Sequence, residues 1–342
     1  MQSIVDNIQF HMADAAPVIV MVAFFVLLAI GVIRVLCSER DKKLIRRAFS
    51  HYISSDYIDE LTQNPDGLKV GGEIRELSVM FADIRDFATI SENLKPDELV
   101  SLLNDFLTPM SEQILSHRGT IDKYMGDSIM SFWNAPLDDA HHARNACQAA
   151  LAMRASLQPI NAALKAQVEA EGQVFMPLRV GIGINTGPCA VGNMGSKYRF
   201  AYSALGDAVN IAARLEGLTK IYKLDILIGE NTQVFVRDLA TLEIDWIRVK
   251  GRKEPLQTYA LLGDEKLASG KKFKNWKMEH EKMLLAYQNK QFEVALTLID
   301  ICRSIQMRDM TGFYDLYEAR IRDYMRNPPP DNWDGVYVAT SK

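Results

Sequence analysis

Cysteine is scarce in this 342-residue chain and is never spaced for chemistry. Cys37, Cys147, Cys189 and Cys302 are scattered, with no CxxC pair. That argues against a zinc ribbon or a disulfide framework and fits reduced cytosolic thiols. Basic excess is missing too: the net charge is −4, so no global field attracts nucleic acid, and no nucleic-acid partner is expected. The glycines at 181, 183, 187, 192 and 195 resemble a phosphate loop, but no Gly-Lys-Ser/Thr follows, which excludes a Walker A motif. They read instead as sites of tight turns and close packing. His141 and His142 are adjacent in a predicted helix, point to different faces, and make no metal pair.

Charge is absent from one long run. Residues 1–14 form a short polar N-terminus without lysine or arginine, and Ala15 to Ile33 is a 19-residue stretch without a charged side chain. As a helix it spans roughly 28 Å, close to the hydrocarbon thickness of a bilayer. A cleavable signal peptide needs a basic leader, which is lacking. Arg34, Arg40, Lys42, Lys43, Arg46 and Arg47 follow the run instead. By the positive-inside rule, 15–37 is a transmembrane helix that anchors a cytoplasmic body to the cell (inner) membrane in a single pass. Membrane lipid is therefore an expected partner. Residues 38–70 read as a helical stalk and linker. Its stripe of Leu44, Ile45, Ala48, Phe49, Tyr52 and Ile53 either packs on its own domain or pairs with a second chain.

From Arg75 the pattern becomes strand, helix, hairpin, helix, strand: Leu77 to Ile84, Pro96 to Leu115, 120–133, Ala140 to about Val168, and Leu178 to Asn185. This is the α+β, ferredoxin-like βαββαβ order. A helix from Asp207 to Tyr222 and further strands complete a domain assigned to 71–263. Residues 264–327 read as a helical extension, and 328–342 as a tail.

The hairpin carries the first chemical signal. Lys123 and Asp127 sit four residues apart on largely apolar arms around a glycine-bearing turn. Charges there are costly unless something pairs with them. A surface hairpin with two solvated charges is the competing reading. Against it stand an acidic residue in the apolar strand upstream and an Asn/Arg helix downstream. Asp122-Lys-Tyr-Met-Gly-Asp127, Val79-Met-Phe-Ala-Asp-Ile-Arg-Asp-Phe87 and Gly206-Asp-Ala-Val-Asn-Ile-Ala-Ala-Arg-Leu-Glu216 together resemble the signature motifs of class III nucleotidyl cyclases. Three ordered motifs are far more specific than any one of them.

The resemblance implies the chemistry. Asp83 and Asp127, with the backbone carbonyl of Ile84, are expected to hold two Mg²⁺ or Mn²⁺ ions per site; converging carboxylates suit hard cations bound together with substrate phosphates. Asn210 and Arg214, at i and i+4, share a helix face. The resemblance assigns Asn210 to the ribose and Arg214 to charge developing on the α-phosphate. It matches Lys250 to a triphosphate-binding lysine, and places Phe87 at the start of a turn whose amides cradle phosphates. Lys123 and Ser203 are expected at the purine. An ammonium and a hydroxyl suit adenine, and the family's guanylyl cyclases carry Glu where this chain has Lys123. One subunit is expected to give Asp83 and Asp127 while its partner gives the rest, so a homodimer closes two composite sites.

Two departures stand out. Ser203 replaces the family's frequent Asp and resembles the subgroup that includes bicarbonate-stimulated enzymes, which implies bicarbonate activation. Asp86-Phe-Ala88 stands where Gly-Phe-Thr is usual, so the Asp86 carboxylate must point away from any triphosphate. The expectation is an adenylyl cyclase converting ATP to cyclic AMP and pyrophosphate, with a sensor or regulator acting through the membrane helix. The alternatives are a catalytically impaired nucleotide-binding signalling protein of the same fold, or a guanylyl cyclase.

Overall fold

The computed structural model describes residues 71–92, 94–170, 175–196, 198–248 and 254–338. The expected span at 15–37, the stalk at 38–70 and Lys250 lie outside them. Among the described residues, no helix is long and apolar enough to cross a membrane.

Four strands form the heart of one sheet. They are β1 (Gly71–Ile84), β2 (Thr120–Met125), β3 (Ser128–Trp133) and β4 (Val180–Ser196), in spatial order β2-β3-β1-β4, with every neighbouring pair antiparallel. Helices α1 (Phe87–Ser91) and α2 (Pro96–Ser116) connect β1 to β2, and α3 (His142–Ala170) connects β3 to β4. This is the expected βαββαβ arrangement. The strand β5 (Arg199–Leu205) folds back on the far half of β4, and α4 (Asp207–Tyr222) returns the chain to β6 (Ile226–Gly229), which lies parallel to β4. The sheet then continues through β8 (Leu256–Gly263) to β7 (Ala240–Arg248).

Two strands are longer than their sequence pattern suggests. Gly71 and Gly72 pair in register with Asn193 and Gly192. Gly187, Gly192 and Gly195, read as turns, lie inside β4. Each strand supplies the other with a hydrogen-bonding edge, and that pairing outweighs the low intrinsic strand preference of glycine.

The strand period sorts β1 by face. Met80, Ala82 and Ile84 join the core under α2 and α3, with Leu102, Phe106, Met110 and Ile114 of α2 arriving at four-residue spacing. Leu77 and Val79 join the opposite cluster, which Ala208 and Ala212 of α4 cover. Asp83 falls on this second, α4-covered face. The helix α4 comes close because β4 is bare beneath it: a Cβ at Gly183 would overlap the backbone of Ala212 and Glu216.

The C-terminal helices α5 (Lys271–Gln288), α6 (Phe292–Ile305) and α7 (Thr311–Arg326) share one core with α4, β7 and β8. Buried Trp276 donates to Tyr314 Oη (2.8 Å), and Tyr317 donates to the Ile244 carbonyl (2.7 Å). Burial pushes the His280 imidazole down to about 4. It stays neutral, its Nε2 donating to the Glu243 carbonyl at 2.6 Å. Arg320 of α7 reaches Asp245 of β7 at 2.6 Å, and the same carboxylate oxygen accepts from Tyr222, the last residue of α4, at 2.7 Å. The helices thus pack as an extension that grips α4 and β7.

Candidate functional site

Asp83 stands next to the last residue of β1, and Asp127 sits in the tight turn between β2 and β3. Because β3 lies directly beside β1, the turn delivers Asp127 to the end of β1. The two carboxyls lie close enough to act on each other directly. Burial, then contact with Asp83, pushes the Asp127 carboxyl up to about 7, while the N–H groups of Asp127 and Ile84 pull it back. Two acids in contact are an arrangement a divalent ion relieves. Among the described residues, no group of three or more His, Cys, Asp or Glu forms a metal cage. Two carboxylates and a backbone carbonyl fit a hard ion that takes its remaining ligands from phosphate and water.

The other end of the hairpin faces elsewhere. Lys123 Nζ lies 3.4 Å from Ser203 Oγ on β5. Ser203 is 5% exposed and donates to Asp122 Oδ2 at 2.6 Å, while the ammonium of Lys123 lies 3.4 Å from Asp122 Oδ1. Burial raises the Asp122 carboxyl, and Ser203 and Lys123 offset part of the rise. The structure therefore brings Lys123 together with Ser203, and Asp127 with Asp83, but does not join the two clusters by any hydrogen bond or ion pair among the described residues.

Asp122 carries no role in the sequence reading. The β2–β3 register slips between Ile121 and Lys123, making Asp122 the extra residue of a bulge. Bulges re-aim side chains, and this one turns the carboxylate toward β5. Its legible signal is a second charge beside Lys123 on an apolar arm.

On α4, Asn210 is exposed and Arg214 is half-buried. Glu216, a candidate partner for Arg214, is taken by Arg85 at 3.2 Å. Asn210 and Arg214 make no side-chain hydrogen bond or ion pair with any described residue. Phe87 opens α1 and packs against the core beneath α2 and α3, leaving its main chain for a ligand. Asp86 adopts a left-handed backbone (φ 56°), the region glycine occupies most easily. Its Oδ1 lies 3.1 Å from Lys220 Nζ of α4, so the carboxylate is held by a lysine. Tyr124, Met125, Phe200 and Leu205 expose apolar surface on the hairpin and on β5, the two elements that present Lys123 and Ser203.

A family model described as the adenylate and guanylate cyclase catalytic domain matches residues 71–263. Adenylate cyclase 1 of Rhizobium meliloti is 38% identical over 190 residues, which cover 55% of this chain and 28% of that protein. The chain therefore spans little more than a quarter of that curated relative. The crystal structure of the adenylyl cyclase CyaB from P. aeruginosa is 34% identical with a TM-score of 0.50, covering 57% of this chain and 97% of that one. The guanylyl cyclase Cya2 is similar at 32% identity and a TM-score of 0.50, covering 57% and 95%. Overall likeness thus leaves the choice of purine to individual side chains.

Proposed function

Since this chain belongs to the adenylate and guanylate cyclase catalytic domain family, we propose that it is an adenylyl cyclase that turns ATP into 3′,5′-cyclic AMP and pyrophosphate. The observation that carries the choice of ATP is the contact of Lys123 with Ser203, braced by the buried carboxylate of Asp122. The ammonium donates to adenine N1, and the hydroxyl, its own proton given to Asp122, accepts from N6. Guanine offers N1–H and O6 at these positions, leaving an ammonium against a donor and a hydroxyl lone pair against an acceptor. Mismatched polar groups in a closed site discriminate strongly.

The working unit is a homodimer with two composite sites. Lys123 and Asp127 diverge to separate clusters within one protomer, which supports their serving different nucleotides. The exposed Tyr124, Met125, Phe200 and Leu205 support a partner covering that face. Asp83, Asp127 and the Ile84 carbonyl of one protomer would hold Mg²⁺ or Mn²⁺, two ions per site, which when bound would supply activation of the ribose 3′-oxygen and neutralisation of the triphosphate. From the other protomer, Asn210 orients the ribose for in-line attack on the α-phosphate. Its Arg214 donates to the equatorial oxygens as their charge grows. Lys250 is proposed at the triphosphate.

A catalytically impaired regulator is the second reading, favoured by Asp86. The Asp86–Lys220 pair weakens it, because the carboxylate is occupied on α4. The charge-free run at 15–33 and the basic residues after it support a single-pass anchor with the catalytic domain in the cytoplasm. A sensor or regulator acting through that helix and bicarbonate activation complete the proposal. A flat rate across millimolar bicarbonate at constant pH removes the last element. The deciding assay offers ATP and GTP side by side with Mn²⁺ and identifies the products. Cyclic AMP in excess is expected; cyclic GMP in excess, or neither nucleotide consumed, overturns the reading.

A further inference from the structure

Gly181 sits opposite Asp83 in the β1–β4 ladder, and a Cβ built on it would overlap the guanidinium of Arg85. Arg85 is therefore laid across β4 in a slot that only glycine leaves open. Its Nη2 donates to the main-chain carbonyl of Glu216 at 3.1 Å, and its Nη1 lies 3.2 Å from the Glu216 carboxylate. The two side chains are only 14% and 16% exposed. The planar fork of arginine presents its N–H donors in a fixed geometry to the carbonyl and the carboxylate, which the flexible point charge of a lysine does not. This is a largely buried ion pair between the residue that follows β1 and α4, and it differs in kind from the exposed Asp86–Lys220 pair nearby.

Its position in the chain gives it consequence. Arg85 lies two residues after Asp83, and Glu216 two residues after Arg214. On the composite-site reading above, on which this inference rests, Asp83 serves one nucleotide and Arg214 of the same protomer serves the other. We propose that Arg85 and Glu216 are positioning residues: a strut that sets α4 against the end of β1 and couples the two active sites through the body of each protomer. Neither residue touches substrate. A displacement of about 1 Å in a reacting arrangement costs on the order of a hundredfold in rate, so the strut acts on turnover more than on binding.

The test uses the full chain with three variants: Arg85→Gln, Arg85→Lys and the exchange Arg85→Glu/Glu216→Arg. With Mn²⁺-ATP, Arg85→Gln is expected to lower kcat about a hundredfold while KM moves less than about threefold. Arg85→Lys, which keeps a cation in the slot, falls between it and the parent, and the exchange variant recovers about tenfold over Arg85→Gln. The second readout needs no turnover. Millimolar Mn²⁺ without nucleotide is expected to slow amide exchange across 207–222 as well as around Asp83 and Asp127, and in Arg85→Gln and Arg85→Lys the response of 207–222 weakens in that order of severity. A parental kcat in Arg85→Gln, or an unchanged response of α4 to Mn²⁺ without Arg85, overturns the strut. If the parent chain makes no cyclic nucleotide, the activity reading fails, and the exchange measurement still decides the strut.

Discussion

The carboxyl of Asp127 lies against that of Asp83, and burial, followed by this contact, pushes it up to about 7. An unfolded aspartate titrates near 4, at about 3.9, so between these values the folded chain binds the extra proton. Stability of the metal-free protein contributed by this group is present at low pH and is lost as pH rises through about 7. A divalent cation competes with that proton. Its affinity is therefore expected to rise from pH 6 to pH 8, by about tenfold. Titration calorimetry with Mn²⁺ in buffers of different ionisation heat should show proton release at the lower pH. Asp127→Asn should abolish both effects; an affinity independent of pH in the parent contradicts them.

Asp122 is predicted to matter for the purine although no ligand need touch it. Asp122→Ala leaves the Ser203 hydroxyl without the acceptor that fixes its proton. The preference for ATP over GTP, read as a ratio of kcat/KM values, should fall by about tenfold or more. An unchanged ratio places the specificity elsewhere.

Asp86→Gly tests whether the family departure impairs turnover. The substitution removes an exposed pair worth about 0–1 kcal/mol and relieves a left-handed backbone by about 1 kcal/mol, so stability should hardly move. Because the carboxylate is already engaged by Lys220, kcat should change by less than about threefold. A gain of a hundredfold would mean that Asp86 does face the phosphates.

Arg320 should be required for the extension to grip the domain. Its guanidinium is paired with buried Asp245 and lies over the rings of Tyr337 (3.7 Å) and Tyr317 (4.7 Å). Arg320→Leu strands the Asp245 carboxylate and should cost about 3–5 kcal/mol in chemical denaturation. Pairing it with Asp245→Leu should restore most of that loss, because no unpaired charge is then buried. A loss below about 1 kcal/mol for the single change contradicts the account.

Much of this was legible in the sequence because local pattern and tertiary need agree there. The hairpin at 120–133 and the helix Asp207–Tyr222 form where periodicity places them, and their motifs bring Asp83 to Asp127 and Lys123 to Ser203. What could not be read depends on neighbours distant in sequence. The length of β1 and β4 comes from their mutual pairing, which overrides their glycines. The aim of Asp122 comes from a one-residue slip. The role of Gly181 depends on Arg85, 96 residues upstream (181 − 85), and no periodicity signals a side chain crossing a neighbouring strand.

The composite site is tested most directly by complementation. Asp83→Ala removes a metal carboxylate and Arg214→Ala a transition-state donor, and each homodimer alone should be inactive, with a loss of about a hundredfold or more. Mixed in equal amounts and allowed to exchange, half the dimers pair one of each, and each such dimer holds one intact site. The account predicts a recovery to about a quarter of parental cyclic AMP production. A mixture as inactive as its components, with subunit exchange verified, would contradict it.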